Sequence, residues 1–260
     1  MIKKILRKSS LPALAFVLCM TVFASAAYAA GAKVPPPQQH WPHKGVMGTY
    51  DLAALQRGYQ VYREACASCH SIRLLSYRNL QDIGFTEDEV RAIASDYFVM
   101  DGPNDEGDMF ERVAVPSDRF VSPFENDAQA RYANNGALPL DLSLIVKARY
   151  GGEDYIYALL TGYAEPPEDV EIPDGMYWNR YYSGHQIAMA PPLMDGQIAY
   201  SSGRSASVEE AARDVTQFLA WASEPHLQQR KQIGVKVLFF LLVFAVLAYA
   251  AKRRIWADVH

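Results

Sequence analysis

The sequence predicts a mostly α-helical domain with long loops, followed by one C-terminal transmembrane helix. Three observations lead there. Apolar residues recur at helical spacing in several short windows between 51 and 222, and no stretch alternates persuasively with the two-residue period of a strand. Between those windows lie long segments of turn chemistry, above all 163–204, rich in Pro, Gly and Tyr and without helical period. Near the end, Ile233 to Ala251 is a run of 19 residues holding one charge, Lys236. As a helix it spans roughly 28 Å, close to the hydrocarbon thickness of a bilayer.

Taken in order, Met1 to Ala29 has the three parts of a cleaved secretory signal: Lys3, Lys4, Arg7 and Lys8, an apolar stretch from Leu11, and Ala27-Tyr28-Ala29 as cleavage site. The rest forms three expected units, an exported domain over 30–230, the membrane anchor over 231–254 and a short tail over 255–260. Residues 30–48, with Pro35-Pro36-Pro37, read as an extended entry segment. Asp51 to Ala65 reads as a helix with Leu52, Leu55, Tyr59 and Tyr62 on one face, and Gly58 leaves room for another helix to approach. A second helix begins at Thr86, whose box partner is Glu89, and ends before Asp101-Gly102-Pro103. Residues 99–140 read mostly as loop. Asp141 can cap a short helix to Tyr150; another runs from Glu153 to Thr161 and stops at Gly162. Ser207 with Glu210 opens a helix whose apolar face holds Val208, Ala211, Ala212, Val215, Leu219 and Ala222. After the apolar run, Lys252, Arg253 and Arg254 mark the cytoplasmic side, and Trp256 is an interface anchor.

The chemistry concentrates in Cys66-Ala67-Ser68-Cys69-His70. A C-x-x-C-H run reads as covalent haem attachment. Two thiols two residues apart reach both vinyl groups of one porphyrin edge, and the following histidine is held beneath the iron as an axial ligand. A structural zinc site wants four ligands, usually with a second cysteine pair, and there is none: Cys19, the only other cysteine, falls in the signal segment. A redox dithiol belongs beside a βαβ pattern, which is absent here.

An electron carrier fills both axial positions, so that iron changes charge without changing ligands. Met189 stands out, in Ile187-Ala188-Met189-Ala190-Pro191-Pro192, because the prolines hold the backbone extended and the alanines allow close approach to a flat ring. Met194 is the runner-up, and His185 would suit a low-potential carrier. The local reading leaves all three open.

Several segments together resemble one family. Cys66 to Tyr77, Glu87-Asp88-Glu89, Asp101-Gly102-Pro103-Asn104, Asn134 to Pro139, Gly151 to Tyr155, Leu160 to Tyr163, Met189 to Pro192 and the tail anchor are similar to the cytochrome c1 family, the haem subunit of the ubiquinol–cytochrome c oxidoreductase (bc1) complex. The resemblance implies a cytochrome c-like haem domain with one haem c, attached through Cys66 and Cys69 and ligated by His70 and Met189. It implies that Arg149 pairs with a propionate beside Tyr155, and that Asn134, Ala137, Pro139, Ile145, Leu159, Leu160 and Ile187 line the haem pocket. Leu140 departs from the family, where relatives often have a second proline, and Tyr182 replaces a phenylalanine.

The resemblance also implies partners: a cytochrome b subunit, a Rieske iron–sulfur protein that supplies single electrons, and a soluble cytochrome c that removes them, in a dimeric complex of a bacterial cytoplasmic membrane with the haem domain periplasmic and the C-terminus cytoplasmic. The chain's contribution to that enzyme is electron transfer, without substrate bond chemistry of its own. A tail-anchored carrier or oxidase subunit outside that complex is the alternative. Charge fits a basic acceptor and argues against nucleic acid: the formal charge is −4, and −8 without the four bases of the signal segment. Between Phe85 and Asp127 twelve acids face three bases, and Glu165, Glu168, Asp169, Glu171 and Asp174 form a second acidic cluster.

Overall fold

A computed structural model describes residues 34–201 and 203–258. The signal-segment expectation therefore falls outside the described residues. Seven α-helices are present among them: α1 (Leu52–Val61), α2 (Glu87–Ser95), α3 (Asp127–Ala133), α4 (Ile145–Ala148), α5 (Gly152–Thr161), α6 (Val208–Ser223) and α7 (Leu227–Ile255). Two antiparallel pairs complete the fold, β1 (Phe98–Asp101) with β2 (Phe110–Val113), and β3 (Tyr177–Trp178) with β4 (Gln186–Ile187). The chain is thus mostly helical with long loops, and the two ribbons correct the expectation of no strands.

The core forms where α1 lies against α6. Gly58 permits that contact: a Cβ there would run into the Asp214 carbonyl oxygen and come within 2.7 Å of Phe218 Cβ. Leu55, Tyr59 and Tyr62 face inward, whereas Leu52, expected on the same stripe, is exposed. At Asp214 the α6 backbone that Gly58 admits also carries a side chain almost fully buried, held by Arg57 at 2.7 and 2.9 Å and by the Tyr200 hydroxyl at 2.8 Å. Tyr77, Phe85 and Phe120 extend the core toward the short 3₁₀ helix Tyr77–Ile83, with Tyr77 and Phe120 rings 4.4 Å apart.

Local chemistry sets the helix starts. Thr86 and Glu89 exchange reciprocal hydrogen bonds at the head of α2, as do Ser207 and Glu210 at the head of α6. Asn126 caps α3, a helix inside the expected loop. The helix expected from Asp141 to Tyr150 shrinks to α4, because the Asp141 carboxylate is engaged elsewhere. Helix α7 is long and apolar enough to cross a membrane, and its apolar stretch is exposed along its length.

Candidate haem site

Helix α1 widens into a π-turn over Tyr62–Cys66, closed by a 2.8 Å bond from Ala67 N–H to the Tyr62 carbonyl. His70 N–H returns to the Cys66 carbonyl at 2.8 Å and Cys69 N–H at 3.1 Å, so one tight loop carries both sulfurs and the imidazole. Both thiols are free. Burial pushes the Cys66 thiol up to about 12, with Cys69 adding to the effect, so Cys66 is held as a neutral thiol rather than a thiolate. A neutral thiol is a poorer ligand for a bare metal ion than a thiolate. Among the described residues no cluster of three His, Cys, Asp or Glu could hold such an ion.

His70 Nδ1 lies 2.7 Å from the Leu140 carbonyl. A carbonyl only accepts, so Nδ1 carries the proton and Nε2 is left with its lone pair free. Burial also holds His70 below its ordinary value, against the pull of Leu140 and Asp141, which keeps the ring neutral. The donor set and its orientation fit a haem iron. The departure at Leu140 leaves this contact intact, because the acceptor is backbone.

One side of the site is fixed to the motif by Asp141. Its carboxylate accepts from Ser71 Oγ at 2.7 Å and Arg73 N–H at 3.0 Å, while Leu142 N–H donates to the Ser71 carbonyl at 2.7 Å. Despite the desolvation that opposes it, these bonds and those from Ser143 hold Asp141 below the usual carboxylate range. The tether carries the 134–139 loop to the motif. Asn134, Ala137 and Pro139 are half-buried there, and Ile145 at the start of α4 is buried. Asn135 and Gly136 turn the loop with φ of 50° and 85°.

The other side is built on α5, which presents Tyr155, Leu159 and Leu160, all half-buried. Arg149, also half-buried, makes no ion pair among the described residues and lies close enough to Tyr155 to oppose the upward push of burial on its hydroxyl. The β3–β4 ribbon holds buried Ile187, and half-buried Met189 follows it. The Tyr163 hydroxyl donates to the Met189 carbonyl at 3.0 Å. Met194 is 67 % exposed. The His185 ring stacks on Trp178, with centroids 4.8 Å apart, and its Nδ1 contacts the Asn179 carbonyl at 3.2 Å. Tyr182 is exposed, so its hydroxyl is met by solvent.

Sequence reasoning missed Asn179, which is fully buried. Its Nδ2 donates to the Leu159 carbonyl at 2.8 Å, and its Oδ1 accepts from Tyr181 and Tyr182 N–H at 3.0 and 3.2 Å. This one side chain clamps the Met189 ribbon to the end of α5. The amide, donor and acceptor at once, meets both demands; an Asn in a Tyr- and Gly-rich run gave no periodic signal of it.

Two free thiols, a histidine with Nε2 free and a long apolar tail helix fit a haem-bearing electron-transfer protein of a membrane. The model of the Cytochrome C1 family matches residues 41–259, and the chain belongs to that family. It is 47 % identical over 247 residues to cytochrome b/c1 of Bradyrhizobium diazoefficiens, covering 86 % of this chain and only 36 % of that protein. It is 45 % identical over 238 residues to cytochrome c1 of Rhodospirillum rubrum, covering 85 % and 88 %. It is 44 % identical over 237 residues to the cytochrome b-c1 complex catalytic subunit of Candida albicans, covering 91 % and 82 %.

Proposed function

We propose that this chain is the membrane-anchored cytochrome of a ubiquinol–cytochrome c oxidoreductase, taking single electrons from a Rieske iron–sulfur protein and passing them to a soluble, basic cytochrome c. The observation that supports it best is the His70 Nδ1 contact with the Leu140 carbonyl, which leaves a neutral imidazole nitrogen bare beside the un-ionised Cys66 thiol. Haem, when bound, supplies an iron that gains and loses one electron. Cys66 and Cys69 would hold it covalently, and His70 and Met189 would ligate its iron. Met189 is favoured over His185, whose ring is already stacked and hydrogen-bonded, and over exposed Met194. The thioether favours the ferrous state and so raises the potential. Arg149, lacking a carboxylate partner of its own, pairs with a propionate, and Asn134, Ala137, Pro139, Ile145, Tyr155, Leu159, Leu160 and Ile187 exclude water from the ring.

The acceptor docks on the second acidic cluster. Glu165, Glu168, Asp169, Glu171 and Asp174 are all exposed, and none is paired with a base among the described residues. In the first cluster, by contrast, Arg91 is shared between Glu87 and Asp88 and Arg112 between Asp101 and Asp118, so each arginine offsets one charge of its pair. The second also lies at the site. Gln186 contacts the Glu171 carbonyl at 3.4 Å, and a Cβ on Gly175 would sit 3.3 Å from Asn135 Nδ2. The body, over 30–230, is exported to the periplasm after loss of 1–29, 231–254 spans the cytoplasmic membrane, and 255–260 is cytoplasmic. The chain works beside a cytochrome b subunit in a dimeric complex.

A reduced-minus-oxidised spectrum of the purified membrane complex tests this. The expected result is a c-type signal that co-purifies with b-type and Rieske centres and resists extraction by acidified acetone. A colourless chain, or pigment lost to that solvent, overturns the reading. Met189→Leu should keep the pigment and lower the potential; an unchanged potential transfers the ligand role to Met194 or His185.

A further inference from the structure

Two hollows adjoin where the domain rests on the start of α7. One, of about 280 Å³, is lined by His43, Lys44, Lys147, Glu153, Glu224 and Lys231, among others. The other, of about 320 Å³, runs between residues 46–49 and α7, past Val46, Met47, Gln232, Val235 and Lys236. Lys231 lines both.

Three features of these hollows need a partner. Val46 and Met47 are neighbouring apolar side chains left 72 % and 84 % exposed beside the head of a membrane-length helix, at the level where a bilayer places its headgroups. Charge is the second. Lys44 is paired with Glu153, and Lys147 and Arg230 with Glu224, but Lys231 and Lys236 have no carboxylate within bonding distance among the described residues. Lys231 is held in place all the same: its ammonium donates to the His43 carbonyl at 2.6 Å and the Gly48 carbonyl at 3.0 Å, which leaves its third proton free. The third is His43, only 4 % exposed, whose Nδ1 has no hydrogen-bond partner. Its Nε2 lies 2.9 Å from the Glu153 carboxylate, which only accepts. In the neutral ring Nε2 therefore carries the proton, and Nδ1 is a bare acceptor that wants a hydroxyl.

We propose that these hollows form a site for an anionic, polyol-headed phospholipid such as phosphatidylglycerol. The phosphodiester meets the free proton of Lys231 and the charge of Lys236, a headgroup hydroxyl donates to His43 Nδ1, and an acyl chain follows Val46, Met47 and Val235 down α7. An uncompensated lysine pair asks for one negative group, the orphaned imidazole for a hydroxyl, and the groove for hydrocarbon. A phospholipid of the leaflet facing the domain offers all three on one molecule. It would seat the domain against the membrane at a fixed height.

The test uses the full chain, purified with its haem and its associated subunits in mild detergent. The preparation is exchanged against an equimolar mixture of phosphatidylglycerol and phosphatidylcholine, and bound lipid is counted by native mass spectrometry. The expected result is preferential retention of phosphatidylglycerol, weakened about five-fold for each lysine removed in Lys231→Gln and Lys236→Gln. Lys231→Arg should restore most of it. A second measurement keeps the wild-type lysines and replaces Met47→p-benzoylphenylalanine; illumination of membranes should attach phospholipid to the chain. Equal retention of the two lipids by the wild type and the double glutamine variant overturns the proposal. So do photo-adducts formed with polypeptide alone, which would mean that another subunit covers the groove.

Discussion

Asn179→Ala isolates the clamp between α5 and the Met189 ribbon. Truncation removes three hydrogen bonds, from Nδ2 to the Leu159 carbonyl and to Oδ1 from the Tyr181 and Tyr182 amides. Tyr182 is exposed, so its amide finds solvent and that loss is discounted. The other two groups are left beside a fully buried position, at about 1–3 kcal/mol each. The expected destabilisation is therefore about 2–6 kcal/mol, or roughly 10 °C in Tm for a domain of this size. The backbone bonds from Asn179 N–H to the His185 carbonyl and from Arg180 N–H to the Gly162 carbonyl, at 2.8 and 3.0 Å, survive the change, so the ribbon loosens at its Met189 end rather than detaching. Thermal unfolding followed by circular dichroism reads the stability. The far-red charge-transfer band of ferric, thioether-ligated haem reads the ligand. Both should fall together. Asn179→Asp should be no better, because it sets a carboxylate against the Leu159 carbonyl. Stability unchanged within 1 kcal/mol would refute the clamp; a loss of stability with the band intact would refute its role in holding Met189.

Four further outcomes follow from the same geometry. Gly58→Ala should cost about 1–3 kcal/mol or more by forcing α1 off the Asp214 carbonyl, measured by urea unfolding; a neutral result would mean that the two helices part easily. Tyr163→Phe removes the hydroxyl that donates to the Met189 carbonyl and should cost about 1 kcal/mol while weakening the far-red band. Burial pulls Glu153 upward, but His43, Lys44 and its own amide outweigh that and hold it at about 2, against an ordinary 4.5. Its contribution, on the order of 3 kcal/mol, is thus full above pH 4.5 and lost as pH falls toward 2, and Glu153→Gln should flatten that part of the stability–pH curve. Finally, neutralising Glu168, Asp169 and Glu171 should slow electron transfer to a basic cytochrome c about ten-fold or more at low salt and little at high salt, in stopped-flow measurements. Neutralising Glu87, Asp88 and Glu89 should do less, because Arg91 already offsets one of their three charges.

What could be read from the residues divides by range. Capping boxes are local: Thr86 with Glu89 and Ser207 with Glu210 lie three positions apart, so the heads of α2 and α6 were legible. Gly58 was legible because a glycine amid an amphipathic stripe has few other uses, and α6 does close on it. The ribbon β1–β2 was not. Its strands are four residues long, and neither has a buried face to impose alternation. What holds it in register lies outside its own pattern, in the Arg112 contacts with Asp101 and Asp118 and in Asn104, whose Oδ1 accepts from Glu106 and Asp108 N–H at 3.0 and 2.9 Å. The apolar face was read one residue too far at Leu52, which is exposed.

The site divides in the same way. Its proposed donors can be named from sequence because the chemistry demands particular side chains at a particular spacing, two thiols and an imidazole within five residues. The groups that aim those donors cannot, because they come from distant segments and several are backbone. The Leu140 carbonyl that orients His70 could have been supplied by any residue, so no letter at position 140 announces it. The same holds for the Met189 carbonyl that receives Tyr163. Asn179 differs: its side chain makes the contacts, yet its partners at Leu159 and Tyr181 are chosen by a ribbon with no sequence signature of its own. A donor set can therefore be proposed from one chain with its ligand geometry still unread, and substitutions at Asn179 or Tyr163 probe that geometry without touching the proposed attachment at the cysteines.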